Sequence, residues 1–137
     1  MKTKILMCLI PILGFVLFCS CDRSTDQTKF IGNWINEDEN TRGITKAVIR
    51  TESDSIFVHM WGKCHPTDCD WGEESTTNSD ANDNQLSLEW NQGFVIRTQK
   101  VTYLESDRLR VEQHSHYIDN SGRPDRDDTY YFIKTSD

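Results

Sequence analysis

The chain has 137 residues, 27% of them charged, and a formal net charge of −7. A chain this acidic lacks the basic patches that nucleic acids require, so nucleic acid is excluded as a partner. The length fits one small domain behind a leader.

The first twenty residues have the pattern of a bacterial export signal. Lys2 and Lys4 form a short basic segment, and the fourteen residues from Ile5 to Phe18 are almost wholly apolar. Such a run is shorter than the roughly 20 residues that span a bilayer, and it fits the apolar part of a secretory signal. We therefore predict a signal peptide at residues 1–20.

The segment Phe18-Cys19-Ser20-Cys21 resembles a lipobox, the signal for attaching lipid to a cysteine. Cys21 is the predicted acceptor, because the bulky Phe18 directly precedes the competing Cys19. An ordinary cleaved signal and an uncleaved anchor stay open. Acyl chains on Cys21 would hold residues 21–29 as a tether. Asp22 fits inner-membrane retention in one type of sorting, whereas the loose lipobox favours the outer membrane, facing the periplasm or the cell surface.

Residues 30–137 form the predicted domain, in which runs of β-branched and aromatic residues alternate with Asn, Asp, Gly and Ser. This pattern is typical of strands and turns. The predicted strands are Phe30–Asn36, Ile44–Thr51, Ser55–Lys63, Trp71–Thr77, Gln85–Trp90, Phe94–Leu104, Arg108–Ile118 and Thr129–Lys134. Most links are short, which indicates antiparallel neighbours. The predicted fold class is all-β: a small antiparallel up-and-down barrel, calycin-like, or a closely related sandwich.

The start of the first strand carries a short motif, Gly32-Asn33-Trp34. It resembles the G-x-W start of a lipocalin-type barrel. The resemblance implies that Trp34 plugs the closed end of the barrel and that Gly32 lets another backbone come near.

Two cysteines, Cys64 and Cys69, remain once the others are lost with the leader or acylated. An exported chain meets oxidising conditions, so we predict a disulfide between them. Closing this short loop contributes about 2 kcal/mol. A metal site stays open as the alternative, with Cys64, Cys69, His65, His114 and His116 as ligands. No cofactor is expected.

Three segments, Asn40–Thr45, Trp61–Gly72 and Asp119–Arg123, together resemble a family of small secreted bacterial β-domains. The middle segment carries the specific pattern W-G-x-C-H-P-T-D-C-D-W-G. The family has no established activity, so the resemblance implies a fold and kinship only.

The Trp61–Gly72 segment has two interpretations. The first is a stapled corner with two core tryptophans. The second is a recognition loop stiffened by Pro66. The candidate recognition residues are Trp61, Lys63, His65, Asp68, Asp70 and Trp71.

Strand Arg108–Ile118 alternates strictly between two faces. The face with Leu109 and Val111 is the predicted core, and the face with His114 and His116 is predicted to meet solvent. Asp125–Asp128 is predicted as a solvated hairpin. If the barrel holds a pocket, polar groups on the inner face would line it. These are Arg97, Gln99, Tyr103 and Gln113.

Catalytic motifs are missing from the sequence: there is no nucleophile elbow, phosphate loop, zinc-protease motif or dinucleotide fingerprint. We therefore predict no catalytic residues and no enzyme. The expected function is a lipid-anchored envelope module that binds a small ligand in its barrel. The alternative is an envelope protein-interaction or inhibitor lipoprotein, for instance against a basic lysozyme, that presents the Cys64–Cys69 loop to an envelope or extracellular protein.

Overall fold

Eight antiparallel strands follow one another in the computed structural model, which describes residues 26–77 and 84–136. A 3-10 turn at Thr28–Phe30 precedes them. The strands are β1 Gly32–Asn36, β2 Ile44–Glu52, β3 Ser55–Gly62, β4 Cys69–Thr77, β5 Gln85–Asn91, β6 Val95–Leu104, β7 Arg108–Tyr117 and β8 Arg126–Thr135. The predicted leader, Cys21 and most of the predicted loop at 78–84 lie outside the described residues. The described part of the chain contains no helix with the length and hydropathy of a membrane span.

The strands form one sheet in the order β4-β3-β2-β1-β8-β7-β6-β5. Each strand pairs with its neighbour in sequence except β4 with β5, and β1 also pairs with β8, which joins the first strand to the last. β4 and β5 approach each other without a ladder of hydrogen bonds, and the rings of Trp71 and Trp90 meet across this gap with centroids 6.2 Å apart. The sheet is therefore a nearly closed up-and-down barrel, which confirms the predicted fold class.

Alternation along the strands places the core inside the barrel. In β7, Leu109, Val111, Gln113 and Ser115 are all buried, as predicted, because every second side chain of a strand points to the same face. The largest fully buried side chains come from both halves of the sheet. They are Phe30, Trp34, Ile44, Ile49, Ile56, Met60, Leu86, Trp90, Leu109 and Phe132.

Two strands begin earlier than the sequence pattern indicates: β4 at Cys69 instead of Trp71, and β8 at Arg126 instead of Thr129. β8 starts at Arg126, whose backbone pairs with Ser115, and Asp128 pairs with Gln113. The predicted solvation of Asp125–Asp128 is confirmed for its first three residues, which are exposed, but its last three residues belong to the strand. The run of charges concealed the strand, because Arg126 and Asp128 take the inward register at the open end of β8, where they pair with each other and the Arg126 side chain is 63% exposed.

The first end of the barrel, which we call the closed end, is filled by aromatic side chains. Trp34 is fully buried, and its ring N–H donates to the carbonyl oxygen of Phe30 at 2.8 Å. Tyr103 meets the rings of both residues edge to face, at centroid distances of 5.9 and 6.5 Å. Gly32 has φ +140° beneath the side chain of Lys134, a backbone conformation that favours glycine.

The second end, which we call the open end, carries the links at residues 37–43, 63–68, 92–94 and 118–125. Three of these links hold the segments Asn40–Thr45, Trp61–Gly72 and Asp119–Arg123. The residues that carry the family resemblance therefore lie together at one end of the barrel, although they are far apart in sequence.

Candidate functional site

A cavity of about 500 Å³ opens at the open end of the barrel. It lies between the disulfide loop, the β5–β6 turn and the inner faces of β6, β7 and β8. This volume is within the range of sites that hold small organic ligands.

Cationic side chains outnumber anionic ones in the lining of this cavity. Four lining residues are cationic and two are anionic. The cations are Arg42, Lys63, Arg97 and Arg126, and the anions are Asp70 and Asp128. The whole chain carries −7, so the cavity is a positive region in an acidic protein. A cleft lined by one sign of charge concentrates ligands of the opposite sign.

Arg97 is the central feature of the cavity. Its backbone in β6 pairs with Ser115, and its Nε and Nη1 atoms are buried with no hydrogen-bond partner among the described residues. The guanidinium lies 4.6 Å from the ring centroid of Trp71 and 5.8 Å from that of Phe94. Burial lowers the pKa of Arg97 from its usual value, yet an arginine stays protonated in proteins. The site therefore holds a partly desolvated cation with unused donors.

The neighbouring arginines already have partners. Arg126 donates from Nε and Nη2 to one oxygen of Asp128, at 2.8 and 2.6 Å. Arg123 forms an ion pair with Asp119 at the mouth of the cavity. The charge of Asp128 acts on Arg97 from a distance, but among the described residues no carboxylate is hydrogen-bonded to the buried Nε and Nη1 of Arg97.

A chain of buried side-chain hydrogen bonds forms the floor of the cavity. The Trp90 ring N–H donates to Gln99 at 2.9 Å, the Gln99 amide donates to Gln113 at 2.8 Å, and the Gln113 amide donates to Ser115 at 3.3 Å. All four side chains are buried. A chain of buried hydrogen bonds with each link made holds its members rigidly in place.

The four residues predicted to line a pocket are distributed over the height of the barrel. Arg97 and Gln113 line the cavity, and Gln99 lies in the floor. Tyr103 is at the closed end, so its predicted place in the same pocket is wrong. It shares the inner face of β6 with Arg97, but six residues of strand separate them by about 20 Å.

Tyr130 is a lining residue that the sequence did not reveal. Burial, followed by the charge of Asp128, raises the pKa of Tyr130 to about 12. Its hydroxyl lies so close to Gly43 that a Cβ atom at that position would overlap it. A glycine is therefore needed at position 43, because any larger residue would collide with the Tyr130 side chain.

The Cys64–Cys69 disulfide is present, with Cα atoms 5.4 Å apart, and both cysteines line the rim of the cavity. The prediction of a disulfide is confirmed, and neither thiol is available to a metal. His65 and the next two residues form the exposed tip of the loop. Below the tip, Lys63 and Asp68 form an ion pair at 3.8 Å.

The two tryptophans of the loop motif point in different directions. Trp71 packs against the core and lines the cavity, whereas Trp61 lies on the outer wall, stacked on His59 at a centroid distance of 4.0 Å. The prediction of two core tryptophans is therefore wrong for Trp61. The alternation of β3, with Met60 buried, puts Trp61 on the outer face. A bulge in β4 lets Trp71 turn inward: Met60 pairs with Gly72 and Trp61 with Asp70, so Trp71 is the extra residue.

Asp70 connects the loop to the wall. It accepts hydrogen bonds from the Gly72 backbone N–H at 2.7 Å and pairs with the His59 ring at 2.6 Å. These two contacts lower the pKa of the Asp70 carboxyl. Asp70 therefore holds the root of the disulfide loop against β3.

His114 and His116 lie on the outer wall, each beside a carboxylate. His114 Nδ1 is 2.7 Å from Asp127, and His116 Nδ1 is 2.9 Å from Asp125. The hydrogen bond with Asp127 raises the pKa of His114. Within residues 26–77 and 84–136, no group of three or more His, Cys, Asp or Glu residues is placed to hold a metal ion.

A second depression, of about 680 Å³, runs along the barrel wall between β5 and β8. It is larger than the open-end cavity. Its buried polar groups, Gln99 and Gln113, are already hydrogen-bonded to each other, so it offers a ligand fewer free partners. The open-end cavity is therefore the better candidate site.

Comparisons with protein-family models, curated proteins and solved structures find no match to this chain. The resemblance to secreted β-domains stays a prediction. The functional interpretation rests on the barrel and its open-end cavity.

Proposed function

We propose that this chain is a binding protein of the cell envelope, anchored by lipid on Cys21, that takes a small ligand in its open-end cavity. The observation that carries the proposal is Arg97, with two buried donor atoms and no partner in the described residues. An unsatisfied buried donor costs about 1–3 kcal/mol, so a ligand that accepts those hydrogen bonds would recover that cost.

The cavity is also held in shape without a ligand. The disulfide closes one side of the rim, and the buried hydrogen bonds from Trp90 to Ser115 fix the floor. A site that is formed in advance loses less conformational entropy when it binds. This supports a dedicated binding site rather than an accidental gap between loops.

The position of the chain start supports binding from solution. The described chain begins at Asp26, beside the 3-10 turn at the closed end. A lipid tether on Cys21 would therefore join the barrel at the closed end, and the mouth would face away from the membrane. The ligand would reach the cavity from the aqueous phase of the envelope.

The titratable groups in the cavity favour binding over catalysis. Tyr130, with a pKa of about 12, stays protonated at neutral pH, and Asp128 is engaged by Arg126. Neither is a ready general base. We therefore propose binding without turnover.

A second candidate is an inhibitor or interaction protein that uses the loop tip. His65, Pro66 and Thr67 are exposed, and the disulfide constrains them. An acidic domain suits a basic partner such as a lysozyme. If lysozyme turns over at the same rate with a large excess of this protein, that form of the second candidate is excluded.

Native mass spectrometry of the exported chain, purified from membranes in detergent, tests the proposed function. We expect a co-purifying organic mass that is lost on denaturation. The control is Ser115→Leu, which adds side-chain volume to the cavity lining and should purify without that mass. A bare wild-type chain that also binds none of a panel of small organic acids, alcohols and amines would contradict the proposal.

A further inference from the structure

The inward-facing charges, the aromatic mouth and the shallow floor of the open-end cavity together specify a class of ligand. We propose that the ligand is a compact aromatic oxyanion, meaning a flat apolar body that carries a carboxylate, sulfonate or phosphate group. The oxyanion binds Arg97 and the body covers Phe94. This inference rests on the proposed function and names the ligand of the same site.

The environment of Arg97 selects an oxyanion. Trp71 and Phe94 lie beside the guanidinium, at 4.6 and 5.8 Å, so its remaining donors are at the edges of the group. Edge donors of a guanidinium match the geometry of carboxylate and phosphate oxygens, often two at a time. A low local dielectric strengthens such a charge-assisted pair.

The rest of the cavity disfavours neutral and cationic ligands. Arg123 and Arg126 form ion pairs with Asp119 and Asp128, whereas Arg97 has buried donor atoms without a partner among the described residues. A sugar would leave the charge of Arg97 without a partner. An amine would meet cations at Arg42, Lys63 and Arg97 in the same lining.

The mouth of the cavity favours an organic anion over an inorganic one. Phe94 is 43% exposed there, and Ile118, whose backbone N–H donates to the Phe94 carbonyl at 2.9 Å, is 39% exposed. Tyr117 also lines the cavity, and the Arg123 guanidinium lies 4.1 Å from its ring centroid and 5.8 Å from that of Phe94. A flat apolar body bound at Arg97 would cover the exposed Phe94 surface, and burying apolar area stabilises a complex.

The floor limits the length of the ligand. Below the Gln99–Gln113 hydrogen bond, the next inward pair on the same strands is Val101 and Val111, both at most 1% exposed. Leu109 and Phe132 fill the space beyond them. A long acyl chain could enter only by opening this core, so the body must be short.

The test uses four probes: 2-naphthoate, 2-naphthalenemethanol, acetate and dodecanoate. Each is titrated calorimetrically into the exported chain in detergent micelles, with empty micelles as the blank. We expect 2-naphthoate to bind about tenfold or more tightly than 2-naphthalenemethanol, because a charge-assisted hydrogen bond distinguishes them. Acetate and dodecanoate should both bind more weakly than 2-naphthoate.

Two variants test whether Arg97 causes the preference for the acid over the alcohol. Arg97→Met should bind the acid and the alcohol equally, whereas Arg110→Met should behave as the wild type. Arg110 lies in β7 outside the cavity lining and, like Arg97, has a buried Nε without a hydrogen-bond partner among the described residues. Its replacement removes the same charge and the ion pair with Glu112, but leaves the cavity lining unchanged. Far-ultraviolet circular dichroism establishes that both variants are folded.

The outcomes separate the two proposals. Equal binding of acid and alcohol by the wild type would overturn the oxyanion inference and leave the proposed function intact. Tighter binding of dodecanoate than of 2-naphthoate would overturn the inference that the apolar body of the ligand is compact. If no probe binds the folded wild type, the proposed function itself is contradicted.

Discussion

The closed and open ends of this barrel are built on different principles. At the closed end, Phe30, Trp34 and Tyr103 pack together, and the only polar atom of Trp34 has its partner. At the open end, the buried Nε and Nη1 of Arg97 lie beside aromatic rings and have no hydrogen-bond partner within residues 26–77 and 84–136. Packing of aromatic side chains stabilises the fold at the closed end, whereas buried donors of Arg97 without a partner among the described residues leave room for recognition at the open end.

The largest expected effect comes from breaking the closed end. Trp34→Ala should lower the free energy of unfolding by about 3–5 kcal/mol, because it empties a fully buried position and leaves the Phe30 carbonyl without its donor. Urea denaturation measures this. Trp61→Ala on the outer wall is the matched control and should cost less. Equal losses from the two variants would contradict the assignment of the closed end as the stabilising end.

Replacing the disulfide tests the open end as a shaped site. Cys64→Ser with Cys69→Ser should lower the free energy of unfolding by about 2 kcal/mol, since the unfolded chain regains the freedom of the loop. Affinity for 2-naphthoate should fall as well, because both cysteines line the rim. Unchanged affinity in the folded double variant would show that the loop does not shape the cavity.

The hydrogen-bonded chain from Trp90 through Gln99 and Gln113 to Ser115 separates the open-end cavity from the packed core. Gln99→Leu should lower the free energy of unfolding by about 2 kcal/mol, because it leaves the Trp90 N–H and the Gln113 oxygen unpaired. Adding Gln113→Leu should cost less than the sum of the two single changes, since both partners of one hydrogen bond are then removed. Strict additivity in urea denaturation would contradict a connected floor.

The smallest expected effect lies on the outer wall, away from both ends. The hydrogen bond with Asp127 raises the pKa of His114 in the folded chain above the usual 6.5, so the folded state binds the proton more tightly. The stabilisation is present below pH 6.5 and is lost as pH rises through the raised pKa. His114→Gln should therefore reduce the fall in urea midpoint above pH 6.5 and leave 2-naphthoate binding unchanged. An identical pH dependence in the variant would contradict this.

The sequence predicted the strands well and the site only in part. Alternation identified β7 and its buried face, because each inward position carries an apolar or small polar residue. The same rule missed the start of β8, where Arg126 and Asp128 take the inward register at the open end, pair with each other and leave the Arg126 side chain 63% exposed. The prediction of two core tryptophans failed because the alternation of β3, with Met60 buried, puts Trp61 on the outer face. The bulge in β4, which lets Trp71 turn inward, leaves no mark in the sequence pattern.

The sequence also did not indicate that buried donor atoms of Arg97 have no hydrogen-bond partner among the described residues. Arg97, Arg123 and Arg126 are all arginines near the same end, and nothing in the chain order indicates which of them lacks a carboxylate. The three-dimensional pairing of Arg126 with Asp128 and of Arg123 with Asp119 decides it. Which arginine forms an ion pair with which carboxylate is therefore decided only in the folded barrel.

Urea denaturation of the wild type and Arg97→Met, with and without 2-naphthoate, tests most directly whether Arg97 is held for a ligand. Without the probe, Arg97→Met should be more stable by about 1 kcal/mol, because it removes an unpaired buried charge. With saturating probe, the wild type should gain stability by linkage and the variant should gain much less. A variant that is less stable than the wild type without the probe, and that gains as much from it, would show that Arg97 is a structural residue and would contradict the account.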